Sequence, residues 1–417
     1  MNMESREKNL SQNQDQKIKV LVSDTAPLYP PQWGGPKRIW NLFSNFPQDI
    51  FEFTYIGVTF EGSPESKCRH KSIRNNFEEI LTVFPPHYRL WHFMEKIFLR
   101  DSHLDLFPYL AMNTDWRFKR LLNCRKADII ICSHPWSSPS IRKKRNQFFI
   151  YDAHNCEYLL MARILERRLF TSLILSQVKR IEGAACRRSD LILVCSAKEK
   201  EDLVSLYKVN PQKIVVIPNG SQVKAATSPQ EKESSRRQLH LDNDQKVVVF
   251  VGMYYKPNID AARFIIEKIA PQLPDFKFLL IGALSEAFVS VKLPANVKFL
   301  GRISDEQLET ALRAADLAIN PMFDGAGMNI KMLDYMSYGL PIVSTECGLR
   351  GIENCQDDLM IRSSAANFAE DIKMLSHDHQ LSQRLSVSGR NLVAEHYDWK
   401  TISRKLQGTI LERLRYQ

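Results

Sequence analysis

NPMFDGAGMNIKMLDYMSYGLPIVSTECGLRG, residues 320–351, decides how the rest of the chain is read. Its loop, Asp324-Gly325-Ala326-Gly327, opens a segment in which Ile330, Leu333, Met336 and Tyr338 recur near helical spacing. That spacing predicts a helix over 328–338, stopped by Gly339-Leu340-Pro341, and a strand over 341–345 that returns to a core. Strand, glycine loop and helix in series make an anion site. Amides at the helix start lack partners, the helix dipole favours negative charge, and glycine lets a phosphate approach the backbone. Lys331 falls in the first turn, where a cation is unfavourable unless an anion is already there. The competing reading is a solvated lysine on an ordinary α/β turn.

The same rhythm extends on both sides. Upstream, KVVVFVG (246–252) reads as a strand, 253–258 as a loop and 259–270 as a helix. A strand over 277–282, VKFL (297–300) before Gly301-Arg302, a helix over 305–315 and a strand over 317–320 follow. Beyond Gly351 come a short strand at 359–361, a helix at 365–376 and two further helical stretches. The first half opens with KIKVLVS (17–23), a β-branched run of the internal parallel type. The loop TAPLYPPQWGGPK (25–37) then places Gly34-Gly35 before Pro36, a first-turn residue for the helix expected over 38–46. It is either a floor for a ligand or a mere turn. Further strands are expected at 51–59, 127–133, 147–152, 190–195 and 213–218.

At the end of the 147–152 run stands DAHNCE (152–157), followed by a helix expected to reach Arg188. Polar groups at the carboxyl end of a parallel strand are where open α/β sheets place ligands. His154 and Glu157 are therefore candidates, while Asn155 and Glu157 also suit helix capping. The βα alternation predicts an α/β protein of two Rossmann-like, doubly wound parallel-sheet domains facing each other across a cleft. The boundaries read as a disordered leader 1–16, a first domain 17–220 and a polar segment 221–245 that is either a linker or the start of the second domain. A second domain 246–395 and a terminal helix 396–417 returning to the first domain complete the chain.

Composition narrows the partners. A net charge of +10 suits nucleotide diphosphates, anionic lipid head groups or nucleic acid without choosing among them. From 84 to 126 aromatics interleave with basic residues, among them Arg89, Lys96 and Arg100. The segment reads either as an amphipathic patch on an anionic membrane surface or as core with a wet basic face. No nucleic-acid module is visible, so nucleic acid is not expected as a partner. The polar first sixteen residues carry no secretory signal, and the best apolar span, 158–175, is broken by Arg163, Glu166, Arg167 and Arg168. Eight scattered cysteines without zinc spacing fit a reducing compartment. A cytoplasmic location is expected, peripheral at the inner face of the membrane if a membrane is met at all.

FVGMYYKPN (250–258), VKFLGRISDEQLETALRAADLAINP (297–321) and GAGMNIKMLDYMSYGLPIVST (325–345) together resemble the donor-binding domain of the retaining glycosyltransferases of family 4, which have the GT-B fold. PPQWGGPKR, YDAHNCE and SDLILVCSAKEKEDL with KIVVIPNG extend the resemblance into the first half. It implies that Asp334 holds the donor ribose and that amides near Gly327, Met328, Asn329 and Ile330 meet the diphosphate, with Lys331 as counter-charge. Gly252, Lys256 and Asn258 would line the phosphate loop, and Gly301-Arg302 the nucleobase. Gly34 and Gly35 would approach the donor phosphate and sugar, with His154 and Glu157 on the sugar side. Asp324 and Asp334 stand for the family's two helix glutamates, and His154, Asp324 and Asp334 are the implied catalytic set. Met253 replaces an arginine common in the family, and Lys256 is the candidate substitute.

The implied reaction moves a sugar from a nucleotide-sugar to a saccharide or lipid-linked acceptor with retention, in polysaccharide or glycolipid synthesis. No DxD pair is present, and no metal or cofactor is expected. A non-catalytic member that keeps the fold as a binding module is the alternative. A nicotinamide enzyme is not supported, since no GxGxxG opens either half.

Overall fold

Short β-branched runs separated by amphipathic stretches build two sheets, one wholly parallel and one parallel but for an edge strand, in a computed structural model of the chain, which describes residues 17–31, 34–60, 62–84, 87–99, 106–165, 171–325, 327–353 and 359–415. The expected leader 1–16, Arg100 and Ala326 lie outside the described residues. The chain divides into two compact units, Met1–Pro218 with Ser403–Gln417, and Asn219–Ile402.

The first unit contains β1 (Ile18–Ser23), β2 (Phe51–Thr59), β3 (His70–Arg74), β4 (Phe77–Val83), β5 (Ile129–Ser133), β6 (Phe148–Ala153), β7 (Leu191–Val194) and β8 (Ile214–Val216). They are ordered β3-β4-β2-β1-β5-β6-β7-β8. Every neighbouring pair is parallel except β3 and β4. The chain works outward from β1 on one side and then returns to start β5 on the other. The carboxyl ends of β1 and β5 therefore flank the point where strand order reverses, the usual ligand position in such sheets.

The second unit has β9 (Lys246–Val251), β10 (Phe276–Ile281), β11 (Val297–Gly301), β12 (Leu317–Asn320), β13 (Ile342–Ser344) and β14 (Ile361–Arg362). Their order, β11-β10-β9-β12-β13-β14, is wholly parallel and reverses between β9 and β12. Both faces are covered, as the continuous apolar runs require. Val248 and Phe250 enter one buried cluster, Val247 and Val249 the other.

Several expectations need correction. β3 and β4 have no counterpart in the sequence reading. β4 points Phe77, Glu79 and Leu81 inward, so a carboxylate interrupts the apolar alternation. Glu79 is kept there because it accepts the N–H of Leu28 at 2.6 Å. Of the two readings of 221–245, the structure favours the start of the second domain, since the segment carries the helix Pro229–Gln238 and lies inside the second unit. The helix expected over 328–338 is Ile330–Ser337, and the one expected from 259 starts at Lys256. That start is allowed because Pro257 lies in the first turn, where no backbone N–H is needed. The helix expected to run unbroken to Arg188 is two, Glu157–Ile164 and Thr171–Arg188.

Candidate functional site

In the second unit, Lys331 occupies the reversal point between β9 and β12. Its Nζ donates to Asn258 Oδ1 at 2.8 Å, approaches Met322 Sδ at 3.6 Å and lies 4.3 Å from the centre of the Phe250 ring. None of these partners carries negative charge. Burial, and then the positive charge of Arg350, push the amine down to about 7. Asn258 reaches Lys331 because Gly252 lets it pass: a Cβ on Gly252 would stand 3.0 Å from Asn258 Cβ. Asn258 Nδ2 donates to Met253 O at 3.2 Å, which turns the amide oxygen toward the amine.

The glycine loop wraps Arg350. Its Nε donates to Gly327 O at 2.7 Å, and a Cβ on Gly325 would fall 2.7 Å from its guanidinium. Gly325 and Gly327 both have positive φ, 141° and 69°, so the turn itself also calls for glycine. Two cations thus stand beside the loop.

The other sequence candidates divide. Asp334 Oδ1 accepts from Ser221 Oγ at 2.7 Å, tying the helix to the turn that opens the unit. Asp324 is exposed, and its Oδ1 accepts the N–H of Gly325 at 2.6 Å, a local turn bond. The amides of Asn329 and Ile330 do not stand open as expected. Asn329 donates to Arg350 O at 3.2 Å and Ile330 to Met328 O at 3.1 Å. Lys256 is exposed and paired with Asp260 at 2.6 Å, and Arg302 is likewise paired with Glu286 at 2.7 Å. Neither joins the Lys331 group. Gly301 closes β11 with φ 68°, and a Cβ there would lie 3.9 Å from Ser285 Oγ, an ordinary contact.

The first unit brings a second group together at its own reversal point. Asp152, fully buried at the end of β6, takes Arg38 NH2 at 2.9 Å on Oδ1 and His154 Nε2 at 3.0 Å on Oδ2. Burial opposes ionisation, but Arg38 and His154 hold this carboxyl well below the usual range. Burial, and then the charge of His134, push His154 down to about 4. His134 follows β5 and meets Asp24, which follows β1, at 3.1 Å through Nδ1. Its ring centre is 4.0 Å from that of His154. Gly35 faces both rings: a Cβ there would lie 3.5 Å from His134 Cε1 and 3.8 Å from His154 Nδ1. By contrast, nothing stands within 4 Å of such an atom on Gly34.

Glu157 is buried, and burial pushes its carboxyl up to about 7. It does not cap its helix through its side chain. Buried Glu182 does so instead, accepting the N–H of Glu157 at 2.7 Å and of Tyr158 at 3.0 Å.

Sequence reading passed over Arg38, Asp24, His134 and Arg350, and quoted Asp152 without a role. Asp24 and His134 did carry a signal, since each directly follows a strand that flanks the reversal. The second unit sets two basic groups, Lys331 and Arg350, near enough for the charge of one to act on the other, an arrangement an anion would relieve. The first offers a neutral imidazole, His154, and a protonated one, His134, each backed by a carboxylate and both beside a glycine, groups suited to a polar ligand with hydroxyls.

The family model described as Glycosyltransferase Family 4 matches residues 81–223, and that described as Glycosyl transferases group 1 matches residues 245–378. Together they span well over half of the chain. D-inositol 3-phosphate glycosyltransferase of Corynebacterium diphtheriae is 23% identical over 56% of this chain and 58% of its own. The chain spans about half the length of the curated relatives it matches. Among solved structures, sucrose-phosphate synthase from Thermosynechococcus elongatus superposes with a TM-score of 0.75 at 14% identity, over 96% of this chain and all of that one. Anabaena HepE in complex with UDP and glucose gives 0.65 at 14% identity, over 95% of this chain and all of that one. With two parallel-sheet α/β domains and both family models in sequence order, the chain belongs to the GT-B glycosyltransferases of the family 4 type.

Proposed function

We propose that this glycosyltransferase moves a hexose from a nucleoside diphosphate to a saccharide or lipid-linked acceptor with retention of configuration, in cell-surface polysaccharide or glycolipid synthesis. The observation that carries the donor assignment is Lys331, a buried amine at a strand-order reversal whose nearest groups are a neutral amide, a thioether and an aromatic ring. An amine so placed gains most from an anion. The complex of HepE with UDP and glucose supports a nucleotide donor here as well.

As the sugar carbon leaves, negative charge grows on the diphosphate oxygens, and fixed cations lower that barrier. Lys331 and Arg350 fill this role, so the reaction is proposed to need no divalent metal. Asp334 holds the donor ribose. His154, neutral and oriented by Asp152, positions the sugar and is not the nucleophile. The acceptor hydroxyl enters on the face the diphosphate leaves, and the departing phosphate takes its proton.

Release of nucleoside diphosphate from a panel of UDP-, GDP-, ADP- and dTDP-hexoses tests this reading, with and without EDTA. Turnover that survives EDTA and falls at least a hundredfold in Lys331→Ala supports it. Absence of turnover across the panel sinks it, and turnover indifferent to both His154→Ala and Asp334→Ala removes the site assignment.

The proposed location is the cytoplasmic face of a membrane. No helix among the described residues is long and apolar enough to cross one. Docking from the surface is favoured by Leu90, Phe93 and Ile97, exposed along one side of the helix Tyr88–Leu99.

A further inference from the structure

His134 has an uncommon backbone for its type, with φ 58°, held by its N–H on Asp152 O at 3.1 Å and its ring Nδ1 on Asp24 at 3.1 Å. Among the described residues nothing hydrogen-bonds its Nε2, and a fifth of the side chain remains exposed. A carboxylate only accepts, so Nδ1 of His134 carries a proton for Asp24. By the same logic His154 Nε2 carries its proton for Asp152 and leaves Nδ1 as an acceptor.

We propose that His134 is a second sugar-binding residue, which donates from Nε2 to hydroxyl groups of the transferred sugar beside the acceptor Nδ1 of His154. The inference rests on the transferase reading above. A sugar hydroxyl both donates and accepts, and two rings centred 4.0 Å apart present one group of each kind. Gly35 keeps the space before them open.

Nε2 donates only while the ring is an imidazolium. The groups facing it are Asp24 after β1, Asp152 on β6 with His154 just after that strand, and Glu157 at the start of its helix, with Arg38 beyond His154. Burial opposes the charge, but Asp24 pushes His134 up to about 9. A buried site built to hydrogen-bond a hydroxyl rejects the analogue that lacks it. His134 is therefore a specificity-determining residue.

The test uses the full chain and whichever hexose of the panel turns over best, together with its monodeoxy analogues. In His134→Asn the short amide tolerates a left-handed backbone but is too short to replace the imidazole. The donor KM is expected to rise roughly tenfold to a hundredfold, the range for one hydrogen bond to a charged group. The Kd of the matching nucleoside diphosphate stays within about twofold, and the preference over at least one deoxy analogue collapses. In the wild type the ratio of donor KM to the Kd of the matching nucleoside diphosphate, which divides out the titration of Lys331, climbs above about pH 9, and Asp24→Asn, which leaves the ring in place, moves that climb to lower pH. An unchanged KM and unchanged deoxy preference in folded His134→Asn, or an equal loss of nucleoside diphosphate affinity, overturns the inference while leaving the transferase reading intact. If the wild type turns over no hexose of the panel, both fall.

Discussion

Lys331 lowers the stability of the free chain, because its amine is buried without a negatively charged partner among the groups around it. Its amine is held near 7, against about 10.4 for a lysine in water. Between those values the unfolded state binds more protons, so stability rises with pH from about 7 to about 10.4 and is lowest below 7. Replacing a poorly compensated buried charge by an apolar isostere should stabilise by about 1–4 kcal/mol. Lys331→Met is thus expected to raise Tm by several degrees at pH 7 while weakening nucleoside diphosphate binding at least tenfold. Wild-type affinity should decline as pH rises above about 7, because the anion favours the ammonium form, and the variant should lose that slope. A lower Tm with binding retained, read by thermal shift and calorimetry, would refute both statements. Lys331 was legible because its loop, helix and strand are neighbours in sequence. The pairs Arg38–Asp152 and His134–Asp24 were not, being 114 and 110 residues apart.

The helix Pro229–Gln238 shows why one element escaped a reading built on apolar periodicity. Its sequence, PQEKESSRRQ, has no apolar side chain but proline, so no hydrophobic face marks it. It is held by polar devices. Ser228 and Glu231 form a capping box, and buried Arg236 reaches Ala314 O at 3.1 Å and Asp316 at 2.6 Å. Asp316 also accepts the N–H of Val247 at 2.7 Å, which links the helix to β9. Arg236→Ala removes one partner of a largely buried pair and should cost about 3 kcal/mol. Urea unfolding of the full chain should show this as an earlier transition of the second unit, and unchanged midpoints would argue that Lys232, whose Nζ lies 2.7 Å from Asp316 Oδ1, satisfies that carboxylate alone. Capping boxes are visible in sequence, but the acceptor of a guanidinium 80 residues away is not.

At the scale of the whole chain, the βα rhythm made the fold class legible, because strand and helix periods are local properties. Strand order and the inward Glu79 of β4 depend on partners far along the chain and were not. The same holds for the aromatic-basic segment, whose residues divide between core and surface in a way that its local pattern does not reveal. Leu106, Met112, Phe118 and Leu122 are core, whereas Leu90, Phe93, Ile97 and Trp116 face outward beside exposed Arg89, Arg117, Lys119 and Arg120. His87 Nε2 and Thr114 Oγ1, 3.2 Å apart, join the starts of the helices Tyr88–Leu99 and Trp116–Cys124. Apolar and basic groups so combined, on a chain of net charge +10, fit an anionic lipid surface. Each basic residue near such a surface contributes about 1 kcal/mol, and apolar insertion adds to it. Sedimentation with phosphatidylglycerol vesicles should capture the protein, with capture falling as salt rises from 0.05 to 0.5 M by order of magnitude. Arg89→Glu with Lys119→Glu should weaken capture roughly tenfold or more, and Phe93→Ser should weaken it in a way that salt does not mimic. Capture that neither charge reversal nor salt alters would leave the exposed stripe without a lipid partner, and neutral vesicles binding equally well would assign any attachment to insertion alone.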